Sequence, residues 1–376
     1  MTKIKKKIIF VIHGLNTGGA EKFLVSLVNK LDYLQFDFTV LSYSKINPLA
    51  IELKKEVNLK IFSRNSKFDL KPFFKTRRFI KNQKPDLIFC VGFFSFFLIH
   101  ISNLFNLKKI TRIISYHTTI SRNKKDHLLM KMYSKFIKKT DKIITVCKNQ
   151  TDYTAKQYKI RRSFFTTIYN GIDTKYWRLP SELDETSMVR IKYAIPKDAK
   201  VIIKTAAFRP EKNHKVAVDA LNILIEKGFN NVYLLFVGDG FLKNEIKSYS
   251  KALNLTEKVI FVGNQRDVRP FYWASDIFTL TSNAVETFSI SALEALCCGL
   301  PCVLTNIGGA NEMIDEGENG YLSNLKPKDI CEKWEKALSQ NFNKKTISIN
   351  ASEKFNIDLM IERYSNFFMK IDEKNI

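Results

Sequence analysis

Short runs of β-forming residues alternate with longer amphipathic stretches along the whole of this 376-residue chain. Most of the runs are continuously apolar, which is typical of parallel strands that helices cover on both faces. The alternation therefore predicts an α/β protein built from two doubly wound parallel sheets. We predict strands at 7–14, 36–43, 58–63, 86–92, 111–117, 142–148 and 165–171 in the first half, and at 200–208, 232–240, 258–264, 276–282, 301–305 and 320–323 in the second.

The length of the chain and one polar segment indicate two domains. A chain of 376 residues is long enough for two domains that each bury their own core. A polar segment at about 175–197 interrupts the alternation of β-forming runs and amphipathic stretches. We therefore predict an N-terminal Rossmann-like domain at 1–180 and a C-terminal one at 181–376. The last helix, at about 356–376, is expected to pack back on the first domain.

The apolar segments and the cysteines indicate a cytoplasmic protein. The apolar core of the N-terminal segment is about five residues long, shorter than the roughly 7–15 of a signal peptide. The longest apolar run, 87–99, is shorter than the roughly 20 residues that cross a bilayer. Six cysteines without regular spacing are expected to be reduced thiols, and the cluster of Cys297, Cys298 and Cys302 to pack in a core.

All of the excess positive charge lies in the first half of the chain. Residues 1–180 contain 36 Lys and Arg against 11 Asp and Glu, a formal net charge of +25. Residues 181–376 contain 25 against 26. A basic domain indicates an anionic partner such as membrane lipid, nucleic acid or a phosphate-bearing acceptor. Because no recognition helix or aromatic stacking motif is evident, we expect an anionic membrane surface rather than nucleic acid.

One segment combines basic and apolar residues at helical spacing. In 130–139, the side chains of Met130, Tyr133, Phe136 and Ile137 would share one face of a helix. We predict that this segment docks on the membrane; the alternative is that its apolar face packs into the core. The basic clusters of the first half are Lys3/Lys5/Lys6/Lys7, Lys71/Lys75/Arg77/Arg78, Lys108/Lys109/Arg112, Arg122/Lys124/Lys125 and Lys131/Lys135/Lys138/Lys139.

Residues with ligand-binding chemistry follow the predicted strands. Open α/β sheets bind their ligands beyond the carboxyl ends of the strands, so these residues are expected to converge on one site. A site built from loops of both sheets suits a molecule long enough to bridge two domains. The residues are His13-Gly14, Gly18-Gly19, His117, Arg209, Lys212, Gly238-Asp239-Gly240, Gly263-Asn264, Glu286 and Gly308-Gly309.

Two of these groups suit a diphosphate. Arg209 and Lys212 stand three residues apart where a strand gives way to a helix, and such a pair of cations can hold phosphate oxygens. Gly18 and Gly19 begin a helix, whose exposed N–H groups also favour phosphate. Taken separately, the plainer alternatives are a solvated helix start and a simple turn. Because the sequence has no D-x-D and no Walker A motif, we expect no metal to carry the diphosphate.

A pair of glutamates marks the segment ETFSISALEALCCGLPCV, residues 286–303. Glu286 precedes a predicted helix and Glu294 lies inside it, on the face that also carries Leu293 and Cys297. A carboxylate buried there without a partner would cost several kcal/mol. The placement therefore indicates that a ligand satisfies Glu294.

Taken together, these motifs resemble the retaining family-4 glycosyltransferases of GT-B fold over nearly the whole chain. The resemblance implies two Rossmann-like domains that face each other across a cleft, with the acceptor bound by the N-terminal domain and a nucleotide-sugar by the C-terminal one. The motifs are GLNTGGAE (14–21), YNGID (169–173), FRPEKNH (208–214), VGDG (237–240), FVG (261–263), ETFSISALEALCCGLPCV (286–303) and GGANEMI (308–314).

The resemblance also implies a role for each matching residue. Glu286 would hold hydroxyls of the donor sugar and Glu294 those of the ribose, while the other residues would surround the diphosphate or the sugar. For His117 the alternative is a core histidine at a strand end. The family commonly has glycine where Thr287 stands and glycine or proline where Ser289 stands, so the donor sugar is left open. The implied catalytic residues are Glu286, Arg209, Lys212 and His117, and the implied donor-binding residues are Glu294, Gly18, Gly19, Phe288, Ser289 and Asn264.

The sequence thus predicts a metal-independent, retaining glycosyltransferase that needs no cofactor and uses a UDP- or GDP-linked sugar. The expected acceptor is a glycan or lipid-linked glycan of bacterial surface polysaccharide, such as lipopolysaccharide or capsule. We expect peripheral attachment to the inner face of the cytoplasmic membrane. Two alternatives are a sugar-nucleotide epimerase of similar two-domain fold and a basic nucleic-acid-binding protein.

Overall fold

Each of the thirteen predicted runs contains a strand in the computed structural model. The structure describes residues 5–16, 18–64, 69–102, 110–117, 124–137, 141–181, 184–283 and 286–371. These residues form two compact units. The first contains the chain up to Asn170 together with the part from Asp358 onward, and the second is Gly171–Ile357.

The first unit is built on a seven-stranded parallel sheet in the order β3-β2-β1-β4-β5-β6-β7. The order reverses between β1 and β4, which is the switch point where such sheets bind ligands. The strands are β1 (Lys6–Ile12), β2 (Phe36–Ser42), β3 (Asn58–Ile61), β4 (Leu87–Val91), β5 (Thr111–Tyr116), β6 (Lys142–Thr145) and β7 (Phe165–Thr167). The helices are α1 (Gly19–Lys30), α2 (Lys71–Gln83), α3 (Gly92–Ser102), α4 (Lys124–Ser134) and α5 (Lys148–Tyr158).

The second unit is built on a six-stranded parallel sheet in the order β10-β9-β8-β11-β12-β13, with its switch point between β8 and β11. Its strands are β8 (Lys200–Thr205), β9 (Val232–Val237), β10 (Val259–Gly263), β11 (Ile277–Leu280), β12 (Cys302–Thr305) and β13 (Gly320–Ser323). Its helices are α6 (Asp184–Lys192), α7 (His214–Glu226), α8 (Lys243–Ala252), α9 (Arg269–Trp273), α10 (Ile290–Cys297), α11 (Ala310–Met313), α12 (Pro327–Ser339) and α13 (Lys344–Lys354).

The apolar runs of the central strands are buried, as covered parallel strands require, whereas the edge strand β3 is mostly exposed. All five residues of β4 are buried, and Gly92, at a φ of +82°, turns the chain directly from β4 into α3. In the second unit the indole of Trp334 on α12 is fully buried and donates to Thr279 Oγ1 at 3.0 Å. Cys297, Cys298 and Cys302 are buried thiols that pack in this unit.

The last helix, α14 (Ile357–Lys370), packs with the first unit. Tyr364 and Phe368, four residues apart on one face, are both fully buried. The Phe368 ring lies against Phe10 and Phe89 at centroid distances of 6.0 and 5.6 Å. The main-chain carbonyl of Phe368 accepts a hydrogen bond from Lys6. The chain therefore returns to the first core after it has formed the second.

The boundary between the units lies before the predicted position of 180/181. The structure divides at Asn170/Gly171, and the segment that follows packs within the second unit. The Trp177 ring lies 6.0 Å from Tyr272, and Trp273 Nε1 donates to the carbonyl of Arg178 at 2.8 Å. These contacts explain the shift, because they attach residues 171–180 to the second unit.

The prediction that segment 130–139 docks on a membrane is wrong for its described part, 130–137. Tyr133 is buried and its ring stacks on Phe97 at 4.6 Å, and the Phe136 ring lies 4.6 Å from His100. The apolar face of the segment therefore packs on α3 in the core and is not available to a membrane. Lys138 and Lys139 lie outside the described residues.

One member of the predicted basic clusters is also buried. The Arg112 guanidinium on β5 forms a bidentate ion pair with Asp141, whose side chain is fully buried. It also contacts His100 Nδ1 at 2.9 Å and the carbonyl of Phe136. Arg112 therefore joins α3, β5 and the end of the α4 region inside the protein, and its charge does not face an external anionic partner. In the described part of the chain, no helix is both long enough and apolar enough to span a bilayer.

Candidate active site

The loop after β8 carries the two predicted phosphate-binding cations. A short 3-10 turn, Pro210–Lys212, follows Arg209, and Asn213 joins this turn to α7. Asn213 has left-handed backbone angles, a φ of 47° and a ψ of 58°, which asparagine adopts more readily than most other non-glycine residues. The Arg209 side chain is exposed and that of Lys212 is partly exposed.

Lys212 and Glu286 form an ion pair in the second unit. Lys212 Nζ donates to Glu286 Oε2 at 2.6 Å, with the two side chains 27% and 15% exposed. Ser282 Oγ donates to the same oxygen at 2.9 Å. Both hydrogen bonds from described residues therefore end on Oε2, and Oε1 can accept from a ligand. Sequence reasoning selected both charged residues but not their direct pairing, and it missed Ser282.

The two residues come together because they follow neighbouring strands at the switch point. Lys212 follows β8, Glu286 follows β11, and these strands pair in parallel. The backbone N–H of Asn283 donates to the carbonyl of Glu211 at 3.0 Å, which ties the two loops to each other. The site therefore lies at the carboxyl edge of the sheet, where the strand order reverses.

A glycine from a third loop supports Glu286. Gly308 has a φ of +56°, and a Cβ atom there would lie 2.2 Å from the carbonyl oxygen of Glu286. Gly309 N–H donates to the carbonyl of Thr287 at 2.7 Å. The loop after β12 thus packs directly on the backbone of Glu286 and Thr287, at a distance that only glycine permits.

Two further glycines hold the loop that carries Arg209. Gly238 and Gly240 have φ angles of +141° and +157°. A Cβ atom at Gly238 would lie 2.2 Å from the carbonyl oxygen of Ala206, and one at Gly240 2.6 Å from that of Phe208. The motif VGDG therefore allows the β9–α8 loop to pack against the β8 loop.

The helix that follows Glu286 is capped by its own serine. Ser289 Oγ accepts from the N–H of Ala292 at 3.3 Å and lies 3.1 Å from Ser291 Oγ. The Phe288 side chain is buried and packs on the Phe355 ring at 5.6 Å. These two side chains are used within the protein, so it is the main chain at the start of α10 that can offer N–H groups to an anion.

Glu294 has a protein partner that the sequence did not reveal. Tyr272 donates through its hydroxyl to Glu294 Oε2 at 3.2 Å, and burial together with this carboxylate raises the pKa of Tyr272. The prediction that a ligand alone satisfies Glu294 is therefore wrong. The face assignment also needs correction. Leu293 and Cys297 are buried, whereas Glu294 is only partly buried, as is Ile290 one turn before it.

A second, fully buried lysine lies behind the ion pair. Lys204 on β8 is 0% exposed and donates through Nζ to the carbonyl of Lys212 and to Thr281 Oγ1. Burial, and then the nearby Lys212 ammonium, lower the pKa of Lys204 well below its ordinary value. The only sequence signal for this residue was a lysine inside the apolar run KVIIKTAAF.

Asn264 lies apart from this cluster. It is exposed and directly follows β10, which is the edge strand of the sheet and is separated from β8 by β9. No contact between described residues joins Asn264 to Lys212 or Glu286. The described residues also contain no group of three or more His, Cys, Asp or Glu side chains that could hold a metal.

Gly18, Gly19 and His117 lie in the first unit. Gly18 and Gly19 are exposed at the start of α1, and His117 directly follows β5. His117 Nε2 lies 2.9 Å from Ser115 Oγ, and its ring lies 4.5 Å from that of Phe23 on α1. Burial lowers the pKa of His117 to about 4, so the ring is neutral at physiological pH. The structure thus packs His117 against the helix that the two glycines begin.

Comparison with known proteins gives matches along both units. Residues 17–176 match Glycosyltransferase Family 4, and residues 187–354 match Glycosyl transferases group 1. An N-acetyl-alpha-D-glucosaminyl L-malate synthase of Bacillus anthracis is 33% identical over 156 residues, 42% of this chain and 39% of that protein. A UDP-Gal:alpha-D-GlcNAc-diphosphoundecaprenol alpha-1,3-galactosyltransferase of Escherichia coli is 25% identical over 189 residues, 50% of this chain and 48% of that protein.

The fold is also similar to that of solved structures. The crystal structure of HepE from Anabaena in complex with UDP has a TM-score of 0.82 and 18% identity to this chain. The likeness covers 97% of this chain and 100% of HepE. Because the two family matches run through both parallel-sheet units and the fold likeness spans nearly the whole chain, this protein belongs to the family-4 glycosyltransferases of GT-B fold.

Proposed function

We propose that this protein transfers a sugar, with retention of configuration, from a nucleotide-diphosphate donor to a glycan or lipid-linked acceptor of bacterial surface polysaccharide. The observation that carries the proposal is the Lys212–Glu286 ion pair, which lies at the switch point of the second sheet. A cation beside a carboxylate suits a donor that presents a diphosphate next to a sugar, because one group can take the phosphate and the other the sugar hydroxyls.

In this proposal the diphosphate draws Lys212 away from Glu286. Arg209, Lys212 and the main-chain N–H groups at the start of α10 then stabilise the negative charge that develops on the departing diphosphate. Glu286 accepts hydrogen bonds from the donor sugar, with Ser282 holding its other oxygen. Glu294, positioned by Tyr272, accepts from the ribose hydroxyls. The roles of Gly18, Gly19, His117, Phe288, Ser289 and Asn264 toward the donor are carried over from the family pattern.

The chemical step is a substitution at the anomeric carbon. The bond from this carbon to the diphosphate oxygen breaks, and the acceptor hydroxyl forms the new bond on the same face. The hydroxyl proton passes to the departing diphosphate, so every side chain of the protein ends the step unchanged. We favour this same-face attack over a covalent intermediate because no side chain of the site is placed as a convincing nucleophile. The absence of a D-x-D sequence supports a step that needs no metal, and activity should survive a chelator.

The relatives favour a UDP-linked donor over a GDP-linked one. HepE is described with UDP bound, and the Escherichia coli relative is named for UDP-Gal and a diphosphoundecaprenol-linked GlcNAc. A lipid-linked acceptor agrees with the +25 charge of residues 1–180. Lipopolysaccharide or capsule is the class of product that we expect.

A lipid-linked acceptor would place the enzyme at the inner face of the cytoplasmic membrane, and α2 is the surface that suits such attachment. The helix buries Pro72, Thr76 and Ile80, and its sequence KPFFKTRRFIKNQ contains no acidic residue. Its outer side exposes Lys75 and Arg78, and Phe74 is 67% exposed beside them. Basic and aromatic residues on one exposed helix face are typical of peripheral binding to anionic lipid.

The direct test is a panel of UDP- and GDP-linked sugars, each incubated with the protein and with lipid-linked glycan extracts. We expect one donor to give free nucleoside diphosphate at a rate that the acceptor increases, together with a glycan extended by one sugar. Conversion of the donor into its epimer without acceptor would instead support the epimerase alternative.

A further inference from the structure

Lys204 is a buried lysine that the proposed chemistry does not use. It is the fifth residue of β8, a central strand of the second sheet, and its side chain is 0% exposed. An ammonium group in such a place is costly unless hydrogen bonds compensate for its lost hydration. An apolar residue would fill the same space at lower cost, so a buried amino group at this position indicates a task.

The hydrogen bonds of Lys204 converge on the turn that carries Lys212. Its Nζ donates to the carbonyl of Lys212 and to Thr281 Oγ1. Thr281 Oγ1 in turn donates to the carbonyl of Asn213 at 2.7 Å. Two consecutive carbonyls are thereby held from the interior, one of them on the residue with left-handed backbone angles. Thr281 directly follows β11, and the next residue, Ser282, holds Glu286.

We propose that Lys204 is a positioning residue, whose buried amino group fixes the Pro210–Lys212 turn and so sets where Lys212 meets Glu286 and the donor diphosphate. It does not touch the donor, because it is fully buried behind the turn. Its effect on turnover rests on the proposed function, but its effect on the ion pair does not.

The charges around Lys204 agree with this task. The groups that face it are Lys212 on the turn, Glu286 in the loop before α10 and His214 at the start of α7. His214 is buried and stacks on Phe208 at 4.1 Å, and burial followed by Lys204 and Lys212 lowers the pKa of its imidazole. His214 is therefore neutral, and Glu286 is the one negative group of the three. Glu286 pairs with Lys212 and not with Lys204, whose amino group bonds to the Lys212 carbonyl and to Thr281 instead.

The test is Lys204→Met, which matches the four-atom stem of the lysine and removes the amino group. We expect the melting temperature to stay the same or rise, because an apolar group replaces a buried charge. Affinity for UDP and donor turnover should nevertheless fall by about 10-fold or more, the scale for losing a positioned electrostatic group. Thr281→Val removes the hydroxyl of the same network and should also lower UDP affinity and donor turnover. Lys200→Met is the matched control, because Lys200 lies at the other, exposed end of β8. It should leave UDP affinity and donor turnover unchanged.

A double-mutant cycle separates positioning from a general loss of structure. In a Lys212→Ala background, Lys204→Met should lower UDP affinity by less than about 3-fold, because the group that it positions is already gone. Full additivity of the two losses would overturn the proposal.

A crystal structure of Lys204→Met without ligand gives a readout that needs no nucleotide. We expect Lys212 Nζ to move away from Glu286 Oε2, to beyond the roughly 4 Å of an ion pair. An unchanged separation of 2.6 Å would overturn the proposal, whatever the affinity for UDP. If the pair is displaced but the wild-type protein binds no nucleotide, the positioning role stands and the proposed function fails.

Discussion

At the scale of single residues, the two glutamates of the site have different surroundings. Glu286 is held by Lys212 and Ser282, whereas Glu294 is held by the buried hydroxyl of Tyr272. We propose that Glu286 exchanges partners when a charged donor binds and that Glu294 keeps its own. This difference gives the two carboxylates separable roles.

The separation can be measured by calorimetry and kinetics. Glu286→Gln keeps the shape but removes the charge beside the sugar, so turnover should fall by about 100-fold or more while UDP still binds. Glu294→Ala should instead weaken UDP binding by roughly 1.5–3 kcal/mol, because the ribose hydroxyls lose a charged acceptor. Equal losses of UDP affinity in the two variants would contradict the assignment.

His117 gives a prediction about pH. Its pKa of about 4 in the folded protein lies below the ordinary 6.5, so the unfolded chain binds the proton more tightly. The contribution of His117 to stability is therefore complete above pH 6.5 and is lost as the pH falls to about 4. It amounts to at most about 3 kcal/mol.

Urea unfolding at several pH values tests this sign with His117→Asn. The wild-type protein should lose more unfolding free energy than the variant between pH 6.5 and 4.5. If the two proteins have parallel pH profiles over this range, His117 is not held neutral by burial.

At the scale of elements, the sequence was most informative about strands. Each of the thirteen predicted runs contains a strand, and most of these runs are continuously apolar, as is typical of covered parallel strands. The rule that open α/β sheets bind ligands beyond the carboxyl ends of their strands also selected Lys212 and Glu286, since both follow strands at the switch point. It could not select Lys204 or Tyr272, whose roles depend on the loops and helices that pack around them.

Helix faces were harder to predict than strands. The periodicity of 130–139 correctly grouped apolar side chains, but an amphipathic pattern is the same whether the partner is a core or a membrane. Arg112 likewise looked like one member of a basic cluster, until Asp141 and His100 were found around its guanidinium. Long-range partners of this kind leave no local signal in the sequence.

The glycine loop after β12 gives a prediction at this scale. Gly308→Ala would place a Cβ atom against the carbonyls of Glu286 and Thr287, so the loop that carries Glu286 must shift. Turnover should fall by about 10-fold or more, since misplacing a substrate-binding group by about 1 Å can cost about 100-fold.

Gly317→Ala is the matched control. Gly317 has a comparable φ of +83° but no atom within 4 Å of an added Cβ, so the substitution has the backbone cost of about 1–2 kcal/mol alone. Both variants should lose stability, and only Gly308→Ala should lose turnover as well. Equal turnover in the two variants would remove the loop from the site.

At the scale of the whole molecule, charge and chain path separate the two units. The first unit contains nearly all of the basic excess and takes back the end of the chain as α14, while the second contains the ion pair and its supporting loops. The division predicted at 180/181 lies later than the observed one, because residues 171–180 pack on Tyr272 and Trp273.

Vesicle sedimentation tests the proposed attachment. Binding should require anionic phosphatidylglycerol and fade as salt rises, because each basic residue contributes about 1 kcal/mol within a Debye length of about 8–10 Å. Lys75→Glu with Arg78→Glu on α2 should abolish binding, and Phe74→Ala should weaken it. The control is Lys247→Glu with Lys251→Glu on α8, two exposed lysines of the second unit. Equal binding to neutral vesicles, or an equal loss in the control, would contradict attachment through α2.

The most direct test of the central claim is to measure UDP affinity by titration calorimetry, and turnover by steady-state kinetics, for the wild-type protein and Lys212→Ala. The claim is that the Lys212–Glu286 pair is the diphosphate site of a sugar transferase. The account predicts that the wild-type protein binds UDP and that Lys212→Ala loses roughly 2–4 kcal/mol of transition-state stabilisation together with a clear part of its UDP affinity. Lys251→Ala, an exposed lysine on α8, should match the wild type. Equal UDP affinity and turnover in Lys212→Ala and the wild-type protein would contradict the account.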